Sequence, residues 1–157
     1  MKKVLFLCIG NSCRSQMAEG FARKYGADVM EPGSAGLAPA SIVQSLTKKV
    51  MEAKNIRLDG QFPKDLAAID TRGIDLVVNM SGARISGRFP AEIREWKVDD
   101  PIGCDEDVYV AVRDEIEMLV MRLILELRRD VRKSQTPAPI APRRSLSTAG
   151  SNRLSKK

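Results

Sequence analysis

The chain has 157 residues, 29% of them charged and 43% apolar. That balance suits a single soluble domain with a real core, and no apolar run reaches the ~20 residues a bilayer requires. The absence of histidine excludes Ser-His and Cys-His nucleophile pairs and any His-containing zinc site. Three cysteines are too few for a four-cysteine zinc site and odd in number for a disulfide scaffold, so a reducing cytoplasm is expected, with no metal and no other cofactor.

Lys2-Lys3 before Val4-Leu5-Phe6-Leu7 is too short a stretch to act as a signal peptide. Those four residues instead form a continuous apolar run, the pattern of a parallel strand covered on both faces. Gln16 to Tyr25 reads as a helix, with Met17, Phe21 and Tyr25 at spacing four and Gly26 at its end. Asp28 to Ser34 reads as a shorter strand broken up by Pro32 and Gly33. Ser41 is placed to cap a helix running to Lys54, with Ile42, Leu46 and Val50 on one stripe. Pro63 to Thr71 suggests a short helix ended by Arg72-Gly73. Ile74 to Val78 is a strand rich in branched residues. Ser81 to Pro90 is a loop or weak helix, and Ile93 to Val98 an edge strand carrying Trp96. Glu106 to Lys133 is a long amphipathic helix, its stripe including Val108, Val112, Ile116, Leu119, Leu123 and Leu127.

This alternation predicts an α/β domain over residues 1–133, a doubly wound parallel sheet with helices on both faces. Residues 134–157 differ in kind. They are rich in Pro, Ser and Ala, with five basic residues (Arg143, Arg144, Arg153, Lys156, Lys157) and no acids. The body is left with 21 basic residues against 20 acidic, so the formal charge of +6 belongs mostly to this tail. Such a segment cannot bury enough surface to offset its ordering entropy, and a disordered basic tail is expected. Its charges are too sparse to predict a specific nucleic-acid partner or a membrane contact.

The first strand runs into Cys8-Ile9-Gly10-Asn11-Ser12-Cys13-Arg14. A polar, Gly-containing loop between a strand and a helix turns its backbone N–H groups inward as an anion nest. The helix beginning near Ser12 to Ser15 adds its positive end. Arg14 supplies a planar fork that can hold two oxygens of a tetrahedral oxyanion. The same positive surroundings favour the thiolate form of Cys8. Gly10 and Asn11 are residue types that tolerate positive φ.

Cys8-X5-Arg14-Ser15 at the N-terminus resembles the low-molecular-weight protein tyrosine phosphatases and, equally, the arsenate reductases of the same fold. The likeness continues through Gly33-Ser34-Ala35-Gly36, Asp75-Leu76-Val77-Val78 and Asp99-Asp100-Pro101. It implies a four-stranded sheet of order 2-1-3-4. It also implies Cys8 as nucleophile, Arg14 and the amides of Ile9 to Cys13 around the oxyanion, and Asp100 as general acid. Proline stiffens the presentation of the residue before it. By the same resemblance Ser15 bonds the Cys8 sulfur, while Asn11 and Ser34 hold the loop curled. The implied reaction is hydrolysis of a phosphomonoester, a protein phosphotyrosine or small aryl phosphate, through a phosphocysteine.

Two departures bear on the substrate. The phosphatases carry aromatic residues after Asp-Pro and after Ser-Ala-Gly; this chain has Ile102-Gly103 and Leu37-Ala38. A wider, less aromatic slot favours a small oxyanion. Arsenate is the rival substrate, but thioredoxin-coupled reductases carry resolving cysteines where this chain has Asn79-Met80-Ser81 and Gly82 to Pro90. An external thiol reductant is then the expected partner. Cys13 can pair reversibly with Cys8 as the phosphatases' second loop cysteine does. Cys104, four residues past Asp100, either approaches the site on the acid loop or is an incidental half-buried thiol. A third reading is an inactive oxyanion-binding module.

Overall fold

The computed structural model describes residues 1–85, 89, 91–145 and 150. The elements are β1 (Lys2–Cys8), α1 (Arg14–Tyr25), β2 (Met30–Gly36), α2 (Ser45–Glu52), a 3₁₀ turn at Leu66–Ala68, β3 (Leu76–Asn79), β4 (Glu92–Glu95) and α3 (Glu106–Gln135). The strands form one parallel sheet in the order β2-β1-β3-β4, as the resemblance implies. Cys8 therefore ends an inner strand beside the point where the chain switches direction across the sheet, where ligands of open α/β sheets bind. Among the described residues no helix is long and apolar enough to cross a membrane.

Strand alternation divides the core. Val4 and Phe6 of β1, with Leu76 and Val78 of β3, face a large cluster that includes Met17 and Phe21 of α1, Val50 and Met51 of α2, and Ile116, Val120 and Ile124 of α3. Leu5, Leu7 and Val77 face a smaller cluster closed by Leu66 of the 3₁₀ turn, Ile85, Ile69 and Ile74. Phe6 and Phe21 are fully buried, and truncating either to alanine should cost roughly 3–5 kcal/mol. Pro32 does not break β2. It lies on the edge strand, opposite Val4, and its carbonyl turns outward to accept from Arg23 Nη2 at 3.2 Å, so its missing N–H costs the ladder nothing.

Several boundaries differ from the sequence reading; β2 and β3 each begin two residues later than read, at Met30 and Leu76. α2 starts at Ser45 with Gln44 as its N-cap residue, and Ser41 and Ile42 are exposed. The Ala40 and Gln44 N–H groups donate to Gly10 and Ser12 carbonyls at 2.9 and 3.0 Å, which commits this backbone to the Cys8 loop instead of to a helix. The buried face is then Thr47, Val50 and Met51. The helix expected over Pro63–Thr71 is only a 3₁₀ turn, because the Lys64 carbonyl accepts from Gly36 N–H at 2.8 Å and its own N–H donates to Asn11 Oδ1 at 2.9 Å. β4 stops before Trp96, whose ring packs 5.9 Å from that of Phe6. α3 runs two residues beyond Lys133. Ser81 to Ile85 and Phe89 form no helix, and residues 137–145 carry no regular structure. The rest of the 81–90 segment and most of the remaining tail lie outside the described residues.

Candidate active site

The Cys8 loop is tightly curled. Asn11 has φ +48°, the left-handed region that asparagine tolerates. Its N–H donates to Cys8 Sγ at 3.2 Å and its side-chain amide donates to Ser15 Oγ at 2.8 Å. Ser15 Oγ lies 2.8 Å from Cys8 Sγ. Since Ser15 Oγ accepts from Asn11, its own proton is free to point at the sulfur. Cys8 Sγ thus faces two hydrogen-bond donors.

The loop is packed so closely that one glycine outside it is indispensable. A Cβ on Gly36 would lie 2.7 Å from the Ile9 carbonyl oxygen and 3.0 Å from Asn11 N. Leu37 and Ala38 N–H groups donate to the Cys8 and Ile9 carbonyls at 3.2 and 2.9 Å, so these carbonyls face away from the nest. The first amides of α1 have no intrahelical acceptor and add their dipoles to it. Ser12 Oγ is buried without a partner among the described residues.

Arg14 is 6% exposed. Its Nη1 donates to the carbonyls of Met80 and Val98 at 2.6 and 3.1 Å, which fixes one edge of the guanidinium and orients the other. Nη2 stands 3.6 Å from Asp100 Oδ2. Asp100 remains half-exposed, and its Oδ1 accepts the Ile102 N–H at 3.1 Å. An ionisable carboxyl group therefore sits at the edge of the Arg14 fork, across from the nucleophile loop. Hydrogen bonds join Cys8, Asn11 and Ser15, and Asp100 stands beside Arg14 at the end of the same loop.

Ser34 is placed differently from expectation. Its hydroxyl donates to Glu19 Oε2 at 2.6 Å, bracing β2 against α1 and not touching the loop directly. Several supports went unrecognised in the sequence. Gln16 Nε2 donates to the Asn11 and Phe62 carbonyls at 2.9 and 3.1 Å. Thr47 Oγ1 donates to the Ser12 carbonyl at 3.2 Å. Asn79, fully buried at the end of β3, accepts from Ser81 N–H at 3.0 Å and donates to the Ala83 carbonyl at 2.8 Å, shaping the turn that delivers the Met80 carbonyl to Arg14. The available signal was polarity where a helix or strand should bury apolar side chains: Gln16, Glu19 and Asn79 are all buried.

The three cysteines are free. Cys13 belongs to the large core cluster, and burial pushes its thiol up to about 12. A thiol held protonated in the core is a poor exchange partner for Cys8 at neutral pH. Cys104 is exposed, not half-buried, and its N–H donates to the Pro101 carbonyl at 2.9 Å.

Cys8, Arg14 and Asp100 thus meet at the carboxyl end of an inner strand of a doubly wound sheet. The chain belongs to the low molecular weight phosphotyrosine protein phosphatase family, whose model matches residues 3–133. It is 34% identical over 133 residues to a glutaredoxin arsenate reductase of Synechocystis sp. strain PCC 6803, covering 81% of this chain and 99% of that one. An arsenate reductase solved in a phosphate-binding state superposes with a TM-score of 0.76 at 32% identity, over 81% of this chain and 99% of its own. The YwlE arginine phosphatase of Geobacillus stearothermophilus superposes with a TM-score of 0.78 at 26% identity, over 88% and 100%.

Proposed function

We propose that the protein reduces arsenate through a Cys8 adduct resolved by an external thiol. The observation that carries this reading is the composition of the two segments flanking the site. Residues 37–40, which lie against the Cys8 loop, are Leu-Ala-Pro-Ala, and residues 101–104, which follow the acid, are Pro-Ile-Gly-Cys. Neither offers a ring to grip a phenol, so selectivity rests on the tetrahedral anion itself. The likeness to arsenate reductases supports the same choice.

The chemistry balances as follows. Cys8 thiolate attacks arsenic, and the departing oxygen leaves as water with a proton from Asp100. The loop amides and Arg14 hold the remaining oxygens. An external thiolate then attacks Cys8 Sγ. The S–As bond breaks with its electron pair going to arsenic, arsenite leaves, and Cys8 is held as a mixed disulfide. A second thiol attacks the external sulfur, releasing the oxidised thiol and restoring Cys8. The two sulfurs supply the two electrons. An external thiol is assigned because Cys13 is buried in the core and residues 79–90, beyond β3, hold no cysteine, which leaves exposed Cys104 on the acid loop as the chain's remaining thiol.

A second reading, phosphomonoester hydrolysis, shares the first half-reaction, with water in place of the thiol. The placement of Asp100 beside Arg14 and the likeness to an arginine phosphatase favour it. One assay separates the two: arsenite release from arsenate with a monothiol, run beside aryl phosphate hydrolysis, for wild type and Cys8→Ser. Thiol-dependent arsenite release lost in Cys8→Ser is the expected result. Phosphate turnover without arsenite release would assign hydrolysis instead.

A further inference from the structure

We propose that Glu95, an exposed carboxylate at the end of β4, is a positioning residue for oxyanion binding, acting on Arg14 through Asn79 and the Met80 carbonyl. The proposal rests on Arg14 holding an oxyanion, a role that the reductive and the hydrolytic readings above share.

The path is a chain of hydrogen bonds. Glu95 lies opposite Asn79 in the β3–β4 ladder, and its Oε2 and Oε1 accept from Asn79 Nδ2 at 2.9 and 3.2 Å. The same Nδ2 donates to the Ala83 carbonyl at 2.8 Å. Asn79 Oδ1 accepts from the Ser81 N–H and hydroxyl at 3.0 and 2.6 Å. Acceptors face the nitrogen and donors face the oxygen, so the partners themselves fix which way the amide points. Met80 lies between the clamped residues. Its N–H donates to the Leu7 carbonyl at 2.8 Å, one residue before the nucleophile. Its carbonyl accepts from Arg14 Nη1 at 2.6 Å.

Each link constrains the next. β1 sets the Met80 amide, so the direction of its carbonyl depends on the turn that follows, and Asn79 closes that turn. An amide nitrogen has two hydrogens to place; Ala83 takes one and Glu95 the other. Asn79 is fully buried, and without Glu95 its second N–H loses that acceptor. The Asn79 side chain is then freer to turn, and the Met80 carbonyl loosens its hold on the guanidinium. The remaining tether of Nη1, the Val98 carbonyl at 3.1 Å, is the longer one. Charge and position predict opposite signs for Glu95. A carboxylate near the site opposes anion binding, so a purely electrostatic Glu95 would tighten the site when removed. A tether weakens the site when removed.

The test is calorimetric titration with inorganic phosphate, which needs no turnover. Glu95→Ala should raise the phosphate Kd about fivefold, the worth of one ordinary hydrogen bond. Glu95→Gln keeps an acceptor oxygen, drops the charge and should bind within twofold of wild type. In an Arg14→Lys background, which lacks the fork that the tether orients, Glu95→Ala should change the Kd less than twofold. Iodoacetamide capture of Cys8 should keep its rate in Glu95→Ala, because the donors to the sulfur come from Ser15 and Asn11. An unchanged Kd in Glu95→Ala, tighter binding in both Glu95 variants, or an equal loss in the Arg14→Lys background would overturn the proposal. Wild type that binds no phosphate would overturn the role of Arg14 and the proposal with it. Phosphate results as expected, with no arsenite release from arsenate, would overturn the reductive reading and leave this one standing.

Discussion

The Ser15 hydroxyl lies 2.8 Å from the Cys8 sulfur, and its other hydrogen-bonding position is filled by the Asn11 amide. One rotor is thereby fixed with its proton toward the nucleophile. A hydrogen bond to a charged group contributes about 1.5–3 kcal/mol. Ser15→Ala should therefore slow iodoacetamide capture of Cys8 at pH 7 by roughly 10- to 100-fold, since each 1.4 kcal/mol is a factor of ten. Circular dichroism should be unchanged. Alkylation at the wild-type rate would show that the hydroxyl merely fills space.

Gly36 and Gly33 sit on the same strand and make opposite predictions. A Cβ at Gly36 collides with the Ile9 carbonyl and Asn11, while one at Gly33 meets only Leu5 Cδ1 at 3.9 Å. Gly36→Ala should cost about 1–3 kcal/mol through displaced backbone and weaken phosphate binding. Gly33→Ala should leave both within error. Phosphate titration followed by calorimetry, with thermal unfolding, distinguishes the two variants.

Asp100 touches the site only through its carboxyl group, 3.6 Å from Arg14 and half-exposed. Asp100→Asn should lower turnover by about 10²–10⁴, the usual worth of a positioned acid. It should leave phosphate affinity equal or tighter, because a negative charge beside Arg14 is removed. Single-turnover kinetics and the same calorimetry check both halves. Loss of phosphate binding would show instead that Asp100 holds Arg14 in place.

Most of this site was legible because the Cys8 loop is contiguous. Seven contiguous residues supply the thiol, the polar loop and the arginine, so reading them together needed no long-range pairing, and the roles given to them came from the family resemblance. Asp100 was reachable only by resemblance, since no local pattern tells a loop Asp-Pro from a turn. The braces were illegible for a different reason. Gln16, Thr47 and Asn79 act across 46, 35 and 16 positions, on Phe62, Ser12 and Glu95 respectively, and sequence order carries no trace of such pairings. The start of α2 was misread because Ser41 has capping chemistry, yet the neighbouring backbone at Ala40 and Gln44 is claimed by the Cys8 loop. Tertiary hydrogen bonds won over local propensity. The sheet order followed from resemblance and the core alternation from the apolar runs.

The buried Cys13 thiol gives stability an alkaline edge. Burial raises it to about 12 from an ordinary 9.0. The folded state keeps the proton that the unfolded state loses, so this contribution is complete below about pH 9 and fades as pH rises toward 12. Urea midpoints between pH 8 and 11 should fall more steeply in wild type than in Cys13→Ala. In native protein at pH 7.5, iodoacetamide should label exposed Cys104 and, slowly, Cys8; Cys13 should react only in denaturant. Peptide mapping reads the three sites.

The carboxyl of Glu126 is held below its ordinary 4.5 by the bidentate Arg94 guanidinium. This tie between β4 and α3 is present above about pH 4.5 and is lost as pH falls through the lower folded value. The Tm gap between wild type and Glu126→Gln should therefore be open at pH 7 and close in acid. A gap independent of pH would assign the effect to packing of the side chain.

The central claim is that Cys8 carries the adduct and an external thiol, not a second cysteine of the chain, resolves it. The most direct measurement is intact-protein mass spectrometry of wild type quenched with acid during arsenate turnover on a limiting monothiol. The account predicts a species heavier by one thiol less two hydrogens, mapped to Cys8 and absent in Cys8→Ser. A species lighter by two hydrogens, mapped as a Cys8–Cys104 or Cys8–Cys13 disulfide and formed at the turnover rate, would contradict it.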